Sequence, residues 1–138
     1  MTAYVDASVV LRLALGEGNR TVDPTRYDSL CTSSLTEVEC RCTLDRIRVL
    51  SASNADFYAE RLSVARSLLA RVNVIDLSPA LLRRAGQHLP VPLGTLDAIH
   101  LATALSIGES TGEPFVLATH DRALARAARA VGLEATGD

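Results

Sequence analysis

The residues of this chain whose types and spacing could do chemistry are carboxylates, and Asp97 is the most unusual of them. It stands near the start of TLDAIHLATAL, residues 95–105, a stretch that predicts a helix with apolar side chains on almost every side. Burial of a carboxylate is costly unless another group pairs with it, and no arginine lies within one helical turn of Asp97. A divalent cation is a natural partner. The alternative is a first-turn charge that stabilises the helix dipole, with Thr95 as the N-cap.

Asp6 and Asp121 share a local pattern in which a short apolar segment, an aspartate and an amphipathic helix follow one another. The two segments are AYVDASVVLRLAL (3–15) and FVLATHDRALARAARA (115–130). Both aspartates would stand at the carboxyl end of a strand, the edge where open parallel sheets bind ligands. Aspartate is also a favoured helix N-cap, so capping is an alternative role for each. Ser8, just after Asp6, either holds a metal-bound water or caps the helix.

The helix predicted after Ser34 offers two glutamates, Glu37 and Glu39. The segment SLTE at 34–37 fits a capping box, in which Glu37 reaches back to the Ser34 amide. Glu37 also precedes Arg41 by four residues, which is a favourable helical pair. These local roles account for Glu37 and leave Glu39 as the candidate ligand, with an ordinary surface glutamate as the alternative.

Together, Asp6, Glu39, Asp97 and Asp121 form a candidate set of hard oxygen ligands. Such a set selects Mg²⁺ or Mn²⁺ over zinc. A cluster of this kind can hold one or two ions that polarise a phosphate and activate a water. His100 follows Asp97 by three positions and either lines the site or is a satisfied core histidine.

The elements that must position these residues alternate along the chain. Strands are predicted at 3–5, 29–33, 72–77 and 114–119, and helices at 7–15, 35–49, 55–71, 79–89, 95–105 and 122–132. Gly16 and Gly18 are expected to end the first helix. The alternation indicates an α/β sandwich with a parallel sheet, and a length of 138 residues fits a single domain over 1–138.

Composition limits the chemistry that is available. All 14 basic residues are arginine, which disfavours a standard P-loop and also an aspartyl-phosphate phosphatase, because both need a lysine near the phosphate. The net charge of −2 does not indicate a general nucleic-acid binder. Cys31, Cys40 and Cys42 suit a reducing cytosol, and neither a signal peptide nor a membrane span is expected. The sequence therefore predicts a cytoplasmic protein.

Four segments stand in the same order across nearly the whole chain as in a known family. They are YVDASVVLRL, SSLTEVECR, LDAIHLATAL and VLATHDRALARAARAVGL. By these motifs the chain resembles the PIN-domain ribonucleases, and specifically the VapC toxins of type II toxin–antitoxin pairs. The resemblance implies a three-layer α/β/α sandwich with a mostly parallel central sheet. It also implies a Mg²⁺ site, in which Mn²⁺ can substitute, held by Asp6, Asp97, Asp121 and a helical glutamate. Glu39 matches that glutamate best, and Glu37 is the alternative.

The same resemblance implies an activity and partners. Family members cleave RNA, often a structured tRNA or ribosomal segment, with a metal-activated water as the nucleophile and a 5′-phosphate product. They form homodimers, and a cognate VapB-type antitoxin blocks the site through an apolar groove. The apolar stripe of the helix at 55–71 is the candidate groove wall, with core packing as the alternative. Arg122, Arg126 and Arg129 are candidate phosphate contacts, with a solvated face as the alternative. A non-catalytic PIN-like domain that binds proteins is the alternative function.

Overall fold

A computed structural model of the chain describes residues 1–17, 22–51 and 54–137. The described strands are Thr2–Val5 (β1), Ser29–Ser33 (β2), Asn73–Ile75 (β3), Phe115–Ala118 (β4) and Ala135–Thr136 (β5). The described α-helices are Ala7–Leu15 (α1), Leu35–Leu50 (α2), Ala55–Leu69 (α3), Pro79–Ala85 (α4), Thr95–Thr111 (α5) and Arg122–Ala130 (α6). Residues Pro24–Arg26 form a short 3-10 helix before β2.

The strands form one parallel sheet in the order β3-β2-β1-β4-β5. β1 lies in the centre, where Tyr4 is opposite Cys31 of β2 and Leu117 of β4. Strands β2 and β3 are added on one side of β1, and strands β4 and β5, which follow later in the sequence, are added on its other side. The crevice between the carboxyl ends of β1 and β4 is therefore the point where the strand order reverses. Ligands of open α/β sheets bind at this point.

Helices cover both faces of the sheet, as expected for parallel strands that are buried on both sides. On one face, Tyr4 belongs to a buried cluster with Leu101 of α5 and Leu124 of α6. On the other face, Val5 packs with Val9 of α1. The predicted α/β/α sandwich with a parallel central sheet is thus confirmed.

The apolar stripe of α3 belongs largely to the core. Leu62, Ala65 and Leu69 are buried, and the last two pack in one cluster with α1 and with Cys40 of α2. Core packing therefore accounts for these three positions, whereas Leu68 of the same stripe lines an open cavity, and the groove wall stays a prediction.

Several predicted boundaries differ from the observed ones. The strand predicted at 72–77 is limited to β3, because only Asn73–Ile75 pair with β2. The helix predicted at 79–89 ends after Ala85, where Gly86 caps α4. β5 was not predicted, since its two residues form a strand only through pairing with Leu117 and Ala118. Gly16 ends α1 in the left-handed region, with φ of 72°, as predicted, while Gly18 lies outside the described residues.

Two of the three cysteines are buried thiols. Cys31 and Cys40 are buried and Cys42 is exposed. Burial raises the pKa of both Cys31 and Cys40 to about 12, which makes them poor nucleophiles. Within the described residues, no helix combines the length and the apolar character that crossing a membrane requires.

Candidate active site

Asp6 and Asp121 each follow a strand of the central crevice and begin a helix. Asp6 caps α1 by accepting a hydrogen bond from the Val9 amide at 3.3 Å. Asp121 caps α6 by accepting the amides of Ala123 and Leu124 at 2.7 and 2.9 Å. Both residues therefore cap helices, and their role as cation ligands stays a prediction. Since a cap of this kind uses Oδ1 of each carboxylate, it also fixes both aspartates at the crevice between β1 and β4.

The buried carboxylate of Asp6, which is 4% exposed, is held by two hydroxyl groups. The Ser8 hydroxyl donates to Oδ1 at 2.6 Å, and the Thr119 hydroxyl donates to Oδ2 at 2.6 Å. Thr119 Oγ1 in turn accepts the Asp121 amide at 2.9 Å, and Ser8 Oγ accepts the His120 amide at 2.9 Å. These bonds lock the loop after β4 onto the start of α1, and the observed role of Ser8 is to hold Asp6 and this loop.

Glu39 reaches the crevice from α2 and is held by a histidine. Its Oε2 lies 2.6 Å from His100 Nε2, and His100 Nδ1 lies 2.7 Å from the Tyr4 hydroxyl oxygen. Both supporting side chains are buried, with Tyr4 0% and His100 1% exposed. Burial raises the pKa of Tyr4 well above its usual range. His100 is thus both a satisfied core residue and a neighbour of the site.

The capping box predicted for Glu37 is wrong. Ser34 has helical backbone angles and its side chain caps nothing, while its amide donates to the Ile75 carbonyl at 2.9 Å. Because the sheet edge takes this amide, Glu37 has no N–H to reach back to. Glu37 instead accepts from Arg41 at 3.0 Å on the exposed side of α2, which is the predicted pair four residues apart.

Asp97 lies in the first turn of α5. The helix begins at Thr95 and its N-cap is Gly94, so the expected capping role of Thr95 is wrong. Partial burial of Asp97 is the main cause that raises the pKa of its carboxyl, and repulsion from Asp121 adds to it. Asp6 and Glu39 contribute further repulsion, while His100 acts in the opposite direction. The site thus concentrates negative charge around Asp97.

One open cavity of about 180 Å³ brings the predicted site residues together. Its lining includes the four candidate carboxylates, Asp6, Glu39, Asp97 and Asp121. The remaining lining residues are Ala7, Ser8, Leu11, Thr43 and His100. Glu37 is not among these residues. Sequence and tertiary structure therefore agree on which acids share the crevice.

The donor set of this cavity suits a metal ion in its chemistry but is not closed around one point. In the observed arrangement of the described residues, no three Asp, Glu, His or Cys side chains converge closely enough to ligate one ion. The chemistry of the lining nevertheless fits a hard cation, because four carboxylates surround the cavity and no arginine among the described lining residues relieves their repulsion.

Sequence reasoning missed Tyr4 and left His100 ambiguous. Tyr4 lies inside an apolar strand, so its sequence context indicates only core. The spacing of three residues between Asp97 and His100 was the available signal for His100, because such residues share a helix face.

The three arginines that were candidate phosphate contacts lie on α6. Arg122 and Arg126 are exposed, whereas Arg129 donates to the Ala135 carbonyl at 2.9 Å.

A parallel α/β/α sandwich with an acidic crevice at its switch point defines the class, and comparison with known families agrees. Residues 3–130 match the family model described as PIN domain. The chain belongs to the PIN-domain family.

Particular relatives narrow this assignment to VapC proteins. The chain is 31% identical over 134 residues to ribonuclease VapC46 of Mycobacterium tuberculosis, covering 94% of this chain and 92% of VapC46. It is 40% identical over 104 residues to ribonuclease VapC35 of the same species, covering 74% of this chain and 67% of VapC35. The resemblance to VapC ribonucleases drawn from the motifs is confirmed.

Solved structures share the fold at lower sequence identity. PAE2754 from Pyrobaculum aerophilum superposes with a TM-score of 0.65 at 22% identity, covering 98% of this chain and 89% of that one. The VapBC2 structure from Rickettsia felis, bound to a promoter DNA fragment, gives 0.69 at 13% identity, with 99% and 98% covered. VapC20 of M. tuberculosis, described as a sarcin–ricin loop cleaving toxin, gives 0.56 at 18% identity, with 77% and 83% covered.

Proposed function

We propose that the protein is a toxin-type endoribonuclease that hydrolyses RNA phosphodiester bonds with Mg²⁺, for which Mn²⁺ can substitute. The observation that carries this proposal is the single cavity that Asp6, Glu39, Asp97 and Asp121 line at the switch point of the sheet. The ribonuclease VapC names of its relatives support the reaction class.

The proposed mechanism assigns each carboxylate a place. Asp6, Glu39, Asp97 and Asp121 hold the cation, and Asp6 and Glu39 do so from orientations fixed by neighbouring hydrogen bonds. A divalent cation bound there lowers the pKa of water and offsets the charge of the scissile phosphate. A carboxylate of the cluster accepts the proton of the attacking water. No covalent enzyme intermediate is involved, and the product carries a 5′-phosphate.

The substrate proposed is a structured RNA, either tRNA or rRNA. One structural neighbour is described as cleaving the sarcin–ricin loop, which is consistent with an rRNA target. Only five aromatic residues occur in the sequence, so recognition by RNA shape and phosphate contacts is favoured over stacking of single bases. The exposed Arg122 and Arg126 on α6 are the proposed phosphate contacts beside Asp121.

A cognate VapB-type antitoxin is the proposed protein partner, and a homodimer in the cytoplasm is the proposed form of the protein. A VapBC complex among the structural neighbours supports the antitoxin. A second cavity of about 470 Å³ lies on the α1 and α3 side of the sheet, away from the acidic crevice. It is lined partly by Leu13, Leu30 and Leu68, and it is the proposed receptor for apolar side chains of the antitoxin.

Incubation with total RNA tests the enzymatic proposal. The wild-type protein should cut in Mg²⁺ or Mn²⁺ and leave mapped 5′-phosphate ends, and EDTA should stop cleavage in buffers free of Zn²⁺. Asp97→Asn should fold and fail to cut, because the variant lacks a cation ligand. Glu37→Gln is the matched control and should cut like the wild type. Cleavage that persists in EDTA contradicts the metal mechanism, and an intact protein that cuts no RNA favours the non-catalytic protein-binding alternative.

A further inference from the structure

We propose that Tyr4 and His100 are positioning residues, which fix the carboxylate of Glu39 for cation binding through a buried chain of two hydrogen bonds. The inference rests on the proposed function, because it assigns Glu39 to the metal site. It concerns two side chains that the mechanism above does not use.

The geometry of the chain is continuous from the sheet to the cavity. The Tyr4 hydroxyl lies 2.7 Å from His100 Nδ1, and His100 Nε2 lies 2.6 Å from Glu39 Oε2. The Tyr4 and His100 rings meet edge to face, with centroids 5.8 Å apart and planes at 68°. The contacts join central strand β1, helix α5 and helix α2, which are the elements that surround the crevice. Each ring is thereby held by packing as well as by hydrogen bonds.

The donor and acceptor roles follow from the chemistry of the end groups. An ionised Glu39 carboxylate can only accept, so the bond of 2.6 Å requires the proton on His100 Nε2. At the other ring nitrogen, the Tyr4 hydroxyl can donate to Nδ1 of a neutral ring or accept from the Nδ1–H of a protonated one. Since Tyr4 is 0% and His100 is 1% exposed, bulk water does not compete for these positions. Tyr4 therefore holds Nδ1 of His100 and keeps Nε2 directed at Glu39 in either form of the ring.

The consequence for the site is an oriented carboxylate. His100 takes Oε2 of Glu39, and Oε1 accepts no hydrogen bond from the described residues. Oε1 therefore has its bonding capacity left for a ligand in the cavity. Asp6 is supported in a similar way by Ser8 and Thr119. Hydrogen-bonded support of ligating side chains commonly changes metal affinity by about 10–100-fold when it is removed.

A purely structural role makes a different prediction from a positioning role. If Tyr4 and His100 only satisfy each other in the core, removal of either group lowers stability and leaves metal affinity unchanged. If they orient Glu39, metal affinity falls beyond what the loss of stability explains, and a side chain that restores the donor to Glu39 restores the affinity.

The experiment measures Mn²⁺ binding by titration calorimetry, at a temperature where thermal melts show every variant to be folded. His100→Leu should weaken binding by roughly 10–100-fold. His100→Gln should recover most of the affinity, because its amide nitrogen stands near the position of Nε2. Tyr4→Phe should weaken binding less than His100→Leu, and its effect should vanish in a Glu39→Gln background. Nitrogen-15 chemical shifts of the His100 ring in the metal-free protein should report a proton on Nε2, and Tyr4→Phe should alter the shift of Nδ1.

Thr36→Val is the matched control. Thr36 stands on α2, the same helix as Glu39, and its buried hydroxyl lies 2.7 Å from Oγ1 of Thr32. The substitution removes this hydroxyl, so it should lower the free energy of unfolding without changing Mn²⁺ affinity. Equal Mn²⁺ affinity in the wild type, His100→Leu and Tyr4→Phe overturns the inference while the proposed function stands. A wild-type protein that neither binds Mn²⁺ nor cleaves RNA overturns both.

Discussion

Thr119 donates its hydroxyl proton to Oδ2 of Asp6 across 2.6 Å, and the pair joins the ends of two neighbouring strands. β1 supplies Asp6 just after Val5, and β4 supplies Thr119 just after Ala118. The two residues are 113 positions apart in sequence, so this contact depends on the parallel pairing of β1 with β4. It is the bond that brings the first and last acidic segments of the site into one unit.

Thr119→Val should destabilise the protein. The substitution removes the donor to a buried carboxylate oxygen and the acceptor for the Asp121 amide, and an unsatisfied buried group of this kind costs about 1–3 kcal/mol. Urea unfolding measures the change, and Thr119→Ser is the control because it keeps the hydroxyl. Equal stability of Thr119→Val and the wild type would show that the bond contributes nothing to folding.

Glu39→Gln and Glu37→Gln should separate the roles of the two glutamates. Glu39 lines the cavity and should be needed for cation binding, so its substitution should weaken Mn²⁺ affinity and RNA cleavage strongly. Glu37 pairs with Arg41 at a surface where its side chain is 49% exposed, so its substitution should lower the free energy of unfolding by at most about 1 kcal/mol. Mn²⁺ calorimetry, RNA cleavage and urea unfolding of both variants check this. Loss of binding in Glu37→Gln with normal binding in Glu39→Gln would reverse the assignment.

Asp97→Asn should stabilise the metal-free protein at neutral pH, with a gain that shrinks in acid. The pKa of Asp97 is raised, chiefly by burial, so the folded state binds this proton more tightly than the unfolded chain does. The contribution of Asp97 to stability is therefore greatest below its unfolded pKa of about 3.9 and is lost as the pH rises through the higher folded value. The uncharged amide that replaces the carboxylate in the variant avoids that loss.

Urea unfolding in EDTA measures this effect for the wild type and Asp97→Asn between about pH 4 and about pH 7.5, a range that begins near the unfolded pKa. The difference in unfolding free energy should be largest at the higher pH. A difference that grows on acidification would contradict the direction of the Asp97 shift.

Leu68→Glu should weaken the complex with the antitoxin. Leu68 lines the second cavity with Leu13 and Leu30, and a carboxylate at this position would replace an apolar contact with a charged group whose desolvation is costly. Val64→Glu is the control, because Val64 is exposed on the same helix and does not line that cavity. Co-purification of each variant with the co-expressed antitoxin measures binding, and a thermal melt of each free variant confirms folding. Equal recovery of antitoxin with both variants would place the interface elsewhere.

The sequence alone determined the class of fold and the acids worth testing. Apolar residues recur at a different spacing in strands and in amphipathic helices, and this local signal located most elements. Asp6 and Asp121 were recognisable because each directly follows an apolar strand and begins a helix. Asp97 was recognisable because its helix is apolar on almost every side. These features are read within a few residues of each position, so no tertiary information was needed.

Only the tertiary structure decided how these pieces meet. The order β3-β2-β1-β4-β5 creates the crevice between β1 and β4, and β5 exists only because β4 offers it an edge. The Ser34 amide donates to the Ile75 carbonyl of β3, so it is not free for the capping box that the local sequence favoured. Tyr4 and His100 are 96 positions apart, and His100 and Glu39 are 61 positions apart. Hydrogen bonds across such separations leave no periodic trace in sequence, because they arise from packing of β1, α5 and α2 rather than from local propensity.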